Sequence, residues 1–171
     1  SLHGMSKSAW NRYDKGGSWY YEVIYPGFKY NMTDIQASMG LHQLEKLEYM
    51  QKKREEYANM YNEAFKDMDE IIEPKSVWKD GIHAWHLYVI QINDELLTID
   101  RNKFIEELAE YNIGTSVHFI PVHLHPYYRN TYGYNEGDFP VAEKIYSRII
   151  SLPLYPKMRK EDVEDVIYAV K

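Results

Sequence analysis

The feature that most limits the possible folds is a helical pattern that runs without interruption over residues 33–66. Apolar side chains recur there at the spacing of one helix face, and Thr33 followed by Gln36 is a capping-box sequence. Asp34 lies in the first turn, where the helix dipole favours a negative charge. A helix of about 33 residues spans about 50 Å, which exceeds the diameter of a small domain. We therefore expect this helix to connect two domains or to kink.

The remaining sequence divides into an irregular N-terminal segment and a region of alternating strands and helices. Residues 1–31 show no helical period and look like the tail of a structure that begins upstream. Patterns rich in aromatic and β-branched residues predict strands over 84–92, 113–119 and 149–154. Amphipathic patterns predict helices over 99–111, 141–150 and 161–170. With a charged connector at 67–83 and a loop at 120–137, this order predicts an α+β fold in which helices cover a small sheet.

Composition and charge exclude several classes of function. The chain has no cysteine, which excludes disulfides, cysteine-zinc sites and thiol nucleophiles and fits a cytoplasmic location. The net charge of -6 argues against general nucleic-acid binding. No apolar run reaches the roughly 20 residues of a membrane helix, so we expect no membrane partner. The segment 7–15 has three basic residues against one acid and is a candidate anion site, although a solvated loop is the more common use of such a segment.

The densest group of polar side chains lies at 118–128, where three histidines stand among prolines and tyrosines. A metal site is disfavoured, because the prolines keep the imidazoles off a shared helix face and no acidic ligand stands among them. A proline-rich loop with histidine and tyrosine more often lines a ligand cleft or simply packs. In a cleft, histidine handles protons or donates hydrogen bonds to phosphate and hydroxyl groups.

A second polar group lies at the start of the long helix. Lys29 and Asn31 are two residues apart, so on an extended backbone their side chains point the same way. A lysine, an amide and the free N–H groups of a helix N-terminus can together hold a phosphate. From the spacing alone, a capped helix start with a solvated lysine is the favoured interpretation.

These motifs resemble the DegT-type aminotransferases, which aminate keto sugars attached to nucleotides. The family's helix-start run is Gly-aromatic-Asn-x-Arg-Met-Ser/Thr-Asp, then hydrophobic-Gln-Ala, and residues 27–37 read Gly-Phe-Lys-Tyr-Asn-Met-Thr-Asp-Ile-Gln-Ala. The segment His-Gly-Met at 3–5 resembles the one shortly after the family's cofactor lysine. The late loop at 114–128 and the run Ser-Leu-Pro-Leu-Tyr-Pro at 151–156 also match. The resemblance covers the whole chain in the family's order.

The resemblance implies the type I fold of aminotransferases that use pyridoxal phosphate (PLP). Residues 1–32 would be a remnant of the large PLP-binding domain, 33–66 the long interdomain helix and 67–171 the small C-terminal domain. It also implies a homodimer that moves an amino group from a donor such as glutamate to a nucleotide-linked keto-deoxysugar. The pathway expected from it is surface or spore polysaccharide biosynthesis.

The resemblance also implies roles for particular residues. Lys29 and Asn31 occupy the positions of the family's asparagine and arginine, so Lys29 is expected at the PLP phosphate, with Asn31 uncharged beside it. A histidine of the late loop lies near the sugar nucleotide in the family, and the pattern does not decide between two of them. The expected substrate contacts are Tyr30, His118, His123 and Tyr128.

The family's Schiff-base lysine and the acidic partner of the pyridinium nitrogen lie upstream of the His-Gly-Met segment. None of the 14 lysines here occupies that motif, so we assign no catalytic residue and expect no transamination by this chain alone. Two alternatives stand beside a parent aminotransferase. The chain could belong to a relative that binds sugar nucleotides without catalysis, or it could be a dimerisation fragment with an exposed former interface.

Overall fold

A computed structural model of the chain describes residues 3–5, 22–75 and 80–171. Contacts divide the chain into two compact units, residues 1–47 and residues 48–171. Among the described residues, no helix is both long and apolar enough to cross a membrane. The candidate anion segment at 7–15 lies outside the described residues.

Within its described residues, the first unit contains the helix α1, over Asp34–Leu44. Thr33 Oγ1 accepts a hydrogen bond from the Gln36 N–H at 3.3 Å, and Gln36 Oε1 accepts one from the Thr33 N–H at 3.0 Å. The predicted capping box is therefore confirmed. No residue of α1 is buried in the described structure.

The segment before α1 is held by a close backbone approach at Gly4. The Ile24 N–H donates to the Gly4 carbonyl at 3.0 Å, and the His3 N–H donates to the Phe28 carbonyl at 3.2 Å. A Cβ on Gly4 would lie 1.9 Å from the Tyr25 carbonyl oxygen, and the Gly4 φ is +73°. Only glycine fits there, which gives a steric reason for the glycine of the His-Gly-Met segment.

The helical pattern over 33–66 forms two helices, α1 and α2, with α2 spanning Leu47–Phe65. The Glu45 N–H donates to the Leu41 carbonyl, and the Lys46 N–H closes a tighter turn on the Gln43 carbonyl. The helix is thus interrupted at Glu45 and Lys46. The contact division falls after Leu47, and the domain boundaries at 32 and 66 stay a prediction.

The second unit is built on a three-stranded antiparallel sheet in the order β1-β2-β3. Ile92 of β2 pairs with Ile71 of β1, and Ile90 of β2 pairs with Ile150 of β3. The strands are β1 Ile71–Ile72, β2 Tyr88–Ile92 and β3 Ile149–Leu152. The further helices are α3 Arg101–Glu110, a 3-10 helix Val122–Leu124, α4 Pro126–Tyr132, α5 Pro140–Arg148 and α6 Lys160–Val170.

The core of the second unit is aromatic. Tyr61 on α2 is fully buried, and its ring lies 5.9 Å from Phe65 and 4.8 Å from Tyr88 on β2. Its hydroxyl donates to the Pro153 carbonyl at 2.8 Å. Burial raises the pKa of the Tyr61 hydroxyl. The buried Tyr57 hydroxyl likewise donates a hydrogen bond to the Met158 carbonyl at 2.5 Å. These tyrosines are core residues because each buried hydroxyl has an acceptor.

Several local predictions need correction. The predicted strand at 113–119 is wrong, because only Ser116 pairs there, in a single bridge to Ser151. The predicted loop at 120–137 contains the 3-10 helix and α4, whose first residue is Pro126. Proline is tolerated at that position because the first N–H of a helix has no partner within the helix. The segment 67–83, predicted as a connector without secondary structure, contains β1. The α+β architecture itself is observed.

Candidate functional site

His118 lies in the late loop and is held by Ser151 of β3. Its Nδ1 is 2.8 Å from the Ser151 hydroxyl oxygen. Ser151 is 5% exposed, and its backbone N–H and carbonyl exchange hydrogen bonds of 2.7 and 3.2 Å with Ser116. The half-buried His118 ring meets Phe119 edge-on at 4.5 Å. Within the part of the chain that the structure describes, His118 Nε2 has no hydrogen-bond partner.

His123 lies on the 3-10 helix and is 6% exposed. Its Nε2 is 2.8 Å from Glu143 Oε1 on α5. The Glu143 carboxylate also accepts the Gly137 N–H at 2.9 Å and the Phe139 N–H at 3.3 Å. The hydrogen bonds from His123 and from the Gly137 backbone hold the pKa of the Glu143 carboxyl below its ordinary value. His123 and Glu143 therefore fasten the loop before α5 to the late loop.

A row of aromatic rings connects His123 with Tyr128 on α4. The neighbours along the row are Tyr128, Tyr132, Tyr134, Phe139 and His123, with centroid distances of 6.1, 6.0, 5.5 and 4.6 Å. Tyr128 also meets Tyr127 edge-on at 5.2 Å. The tyrosines of the row retain exposed ring surface. An exposed row of this kind can bind an apolar or planar ligand face.

The second predicted group belongs to the first unit. Lys29, Tyr30 and Asn31 are exposed just before α1, and the Tyr30 ring lies 5.7 Å from Phe28. No described residue forms an ion pair with Lys29. An ammonium and an amide beside a helix start form a donor set that fits a phosphate dianion. The assignment of Lys29 and Asn31 to a cofactor phosphate stays a prediction.

The predicted site residues fall into the two units. Lys29, Tyr30 and Asn31 share the first, and the late-loop residues share the second. Sequence reasoning missed Ser151 and Glu143. Ser151 stands in the Ser-Leu-Pro-Leu-Tyr-Pro run, and that run was the only available signal. Nothing local in the sequence distinguishes Glu143 from the other acids of the helices.

The late-loop histidines do not converge on one point. His118 bonds to Ser151 and His123 bonds to Glu143, while His125 is exposed. Among the described residues, no three histidine, aspartate or glutamate side chains are placed to hold a metal ion.

The described residues thus include a small α+β unit, a capped helix start preceded by Lys29 and Asn31, and a loop of histidines and tyrosines. The whole chain, residues 1–171, matches the model of the DegT/DnrJ/EryC1/StrS aminotransferase family. The chain belongs to this family. The cofactor of the family is PLP.

The chain is also similar to individual curated proteins. The chain is 61% identical to the uncharacterized protein MJ1066 of Methanocaldococcus jannaschii, over 99% of this chain and 44% of that protein. It is 58% identical to the spore coat polysaccharide biosynthesis protein SpsC of Bacillus subtilis, over 100% of this chain and 44% of that protein. The chain therefore spans less than half the length of these curated relatives.

A solved structure gives the same result for the fold. Spr1654 from Streptococcus pneumoniae, a candidate sugar aminotransferase in its PMP-form, superposes with a TM-score of 0.82 at 32% identity. The match covers 100% of this chain and 42% of that chain. Its PLP-form gives a TM-score of 0.80. The expected fold, the C-terminal part of a PLP-dependent aminotransferase, is confirmed.

Proposed function

We propose that this chain is the C-terminal part of a longer protein, here called the full-length enzyme, which is a PLP-dependent aminotransferase. It transfers an amino group from a donor such as glutamate to a nucleotide-linked keto-deoxysugar for surface or spore polysaccharide biosynthesis. The observation that carries the proposal is the family match over residues 1–171. The name of SpsC supports the polysaccharide pathway.

Lys29 and Asn31 supply the groups that would hold the cofactor phosphate. When bound, PLP supplies the electron sink that lets an amino group pass between donor and acceptor. The Lys29 ammonium neutralises phosphate charge as a point charge on a flexible stem. The Asn31 amide donates a hydrogen bond without adding charge. Both residues precede α1, and the positive end of a helix dipole favours an anion.

On the substrate side, we propose contacts from Tyr30, Tyr128 and the late-loop histidines. Tyr30 is 73% exposed, and Tyr128 belongs to the exposed aromatic row. An aromatic face binds the planar base or the apolar face of a sugar, while the hydroxyl provides a polar end. His118 or His123 provides an imidazole that donates to a phosphate or hydroxyl oxygen of the substrate.

We propose that the full-length enzyme works in the cytoplasm as a homodimer, without a nucleic-acid or membrane partner. The absence of cysteine supports a reducing compartment. The apolar residues Ile35, Met39 and Leu44 of α1 are each more than 60% exposed in this chain. A helix with apolar side chains around its circumference is normally covered. In this proposal the upstream part of the enzyme and a second copy cover α1.

We also propose that residues 1–171 alone catalyse no transamination, because no lysine here matches the family's cofactor-lysine motif. Titration of the chain with PLP, followed by borohydride reduction and peptide mapping, tests this point. We expect no stoichiometric adduct. A stoichiometric adduct on a single lysine would show that the chain is a minimal enzyme and would contradict the assignment.

The activity itself is tested on the full-length enzyme with glutamate and a nucleotide-linked keto-deoxysugar. We expect 2-oxoglutarate and an amino sugar, detected by mass spectrometry, in equal amounts. The Lys29→Met variant should bind PLP more weakly, while Lys157→Met, an exposed matched control, should not. Binding of the sugar nucleotide without amination would instead favour a non-catalytic relative and would refute the proposed activity.

A further inference from the structure

His118 and His123 of the late loop have partners of different chemistry. His123 Nε2 faces the Glu143 carboxylate, which only accepts hydrogen bonds, so Nε2 must carry a proton and stays committed to Glu143. His118 Nδ1 faces the Ser151 hydroxyl, which can both donate and accept. The Ser151 contact therefore survives either protonation state of His118, whereas the Glu143 contact fixes His123 as a donor.

The Ser151 hydroxyl is itself held in place by the sheet. Ser151 pairs with Val89 of β2 and bridges to Ser116 on its other side. It is 5% exposed, and within the described residues its hydroxyl bonds only to His118. A buried O–H donor without an acceptor costs free energy. Because Nδ1 of His118 is the acceptor available to the Ser151 O–H, this O–H donates to Nδ1 when His118 is neutral. This places the proton of neutral His118 on Nε2.

We propose that Ser151 is a positioning residue that holds His118 as the late-loop histidine that donates, through Nε2–H, to the sugar-nucleotide substrate. This inference rests on the proposed function. His123 is the less suitable donor, because it is 6% exposed and its Nε2 is engaged by Glu143. His118 is half-buried and keeps Nε2 without a partner in the described structure. The role of His123 is to fasten the loop before α5.

The first test is an NMR measurement on the 171-residue chain at a pH where His118 is neutral. The 15N shifts of the imidazole should show the Nε2–H tautomer, and a NOE should connect the His118 Hε1 with the Ser151 Hβ protons. In Ser151→Ala the NOE to residue 151 should weaken and the Nδ1–H tautomer should become populated. Ser116→Ala is the matched control, because it keeps the backbone bridge and should leave the His118 signals unchanged.

An absent NOE in the unsubstituted chain, or His118 signals that are identical in Ser151→Ala, would overturn the positioning role. These readouts need neither cofactor nor activity. They are therefore independent of the proposed function, and a purely structural role for Ser151 would not move the tautomer. The NOE and the tautomer of His118 in the unsubstituted chain test the positioning role of Ser151 even where Ser151→Ala folds poorly.

The second test uses the full-length enzyme. Loss of one positioning hydrogen bond should raise the KM for the sugar nucleotide by about two- to tenfold in Ser151→Ala, with the KM for glutamate unchanged. An unchanged KM for the sugar nucleotide in an active enzyme would overturn the role of Ser151. Failure of the proposed function would look different, because the unsubstituted enzyme would then form no amino sugar at all.

Discussion

Arg54 of α2 reaches three backbone carbonyls in two chain segments through one nitrogen. Its Nη1 donates to the carbonyls of Trp85 at 3.0 Å, His86 at 3.2 Å and Leu154 at 3.0 Å. These carbonyls lie just before β2 and just after β3, and these two strand ends are neighbours because Tyr88 pairs with Leu152. Arg54 therefore ties α2 to one end of the β2–β3 pair. The Arg54→Met substitution keeps much of the aliphatic stem and removes all three hydrogen bonds.

The expected cost follows from the burial of each bond. The hydrogen bonds to Trp85 and Leu154 are part-buried, whereas the one to His86 is exposed. Water can replace the exposed bond in the variant. A hydrogen bond from a charged group contributes about 1.5–3 kcal/mol, and less with solvent access. We expect Arg54→Met to lower the free energy of unfolding by about 2–4 kcal/mol. The urea midpoint should then fall by about 1–2 M.

Urea unfolding followed by far-UV circular dichroism measures this effect. Lys52→Met on the same helix is the matched control, because Lys52 is exposed, and it should stay within about 0.5 kcal/mol of the unsubstituted chain. Arg54→Lys should be intermediate, since an ammonium lacks the planar fork of a guanidinium. An Arg54→Met variant as stable as the Lys52→Met control would refute the assignment of Arg54 as a connector.

Three further outcomes are expected. Tyr61→Phe removes only a buried hydroxyl and should lower the free energy of unfolding by about 1–2 kcal/mol; Tyr168→Phe, 74% exposed, should not change it. Thr33→Ala should destabilise α1 by about 0.5–2 kcal/mol, seen as faster amide exchange in its first turn; unchanged exchange would contradict the cap. Because the folded-state pKa of Glu143 is depressed, its stabilisation is present above pH 4.5 and is lost as pH falls through the folded pKa. The stability gap between the unsubstituted chain and Glu143→Gln should therefore close in acid, and a gap independent of pH would count against the contact with His123.

Features that depend on neighbouring residues were predictable from the sequence. The capping box at Thr33 and Gln36 joins residues three apart, so the sequence contains both partners. Helices α3 and α6 match their predicted bounds within two residues, because an amphipathic period is a local property. The family motifs are local as well, and they were sufficient to predict the type of cofactor and the fold.

Features that depend on distant residues were decided by the tertiary structure. The strand pattern at 113–119 had the right residue types, but β propensity yields a strand only where a partner strand is available, and only Ser116 has one, in Ser151. The sequence also left open whether His118 or His123 meets the substrate, and the choice of His118 is a proposal that rests on the different partners of the two histidines. Their partners stand 33 and 20 residues away, and the chemistry of a histidine depends on the group that faces each ring nitrogen.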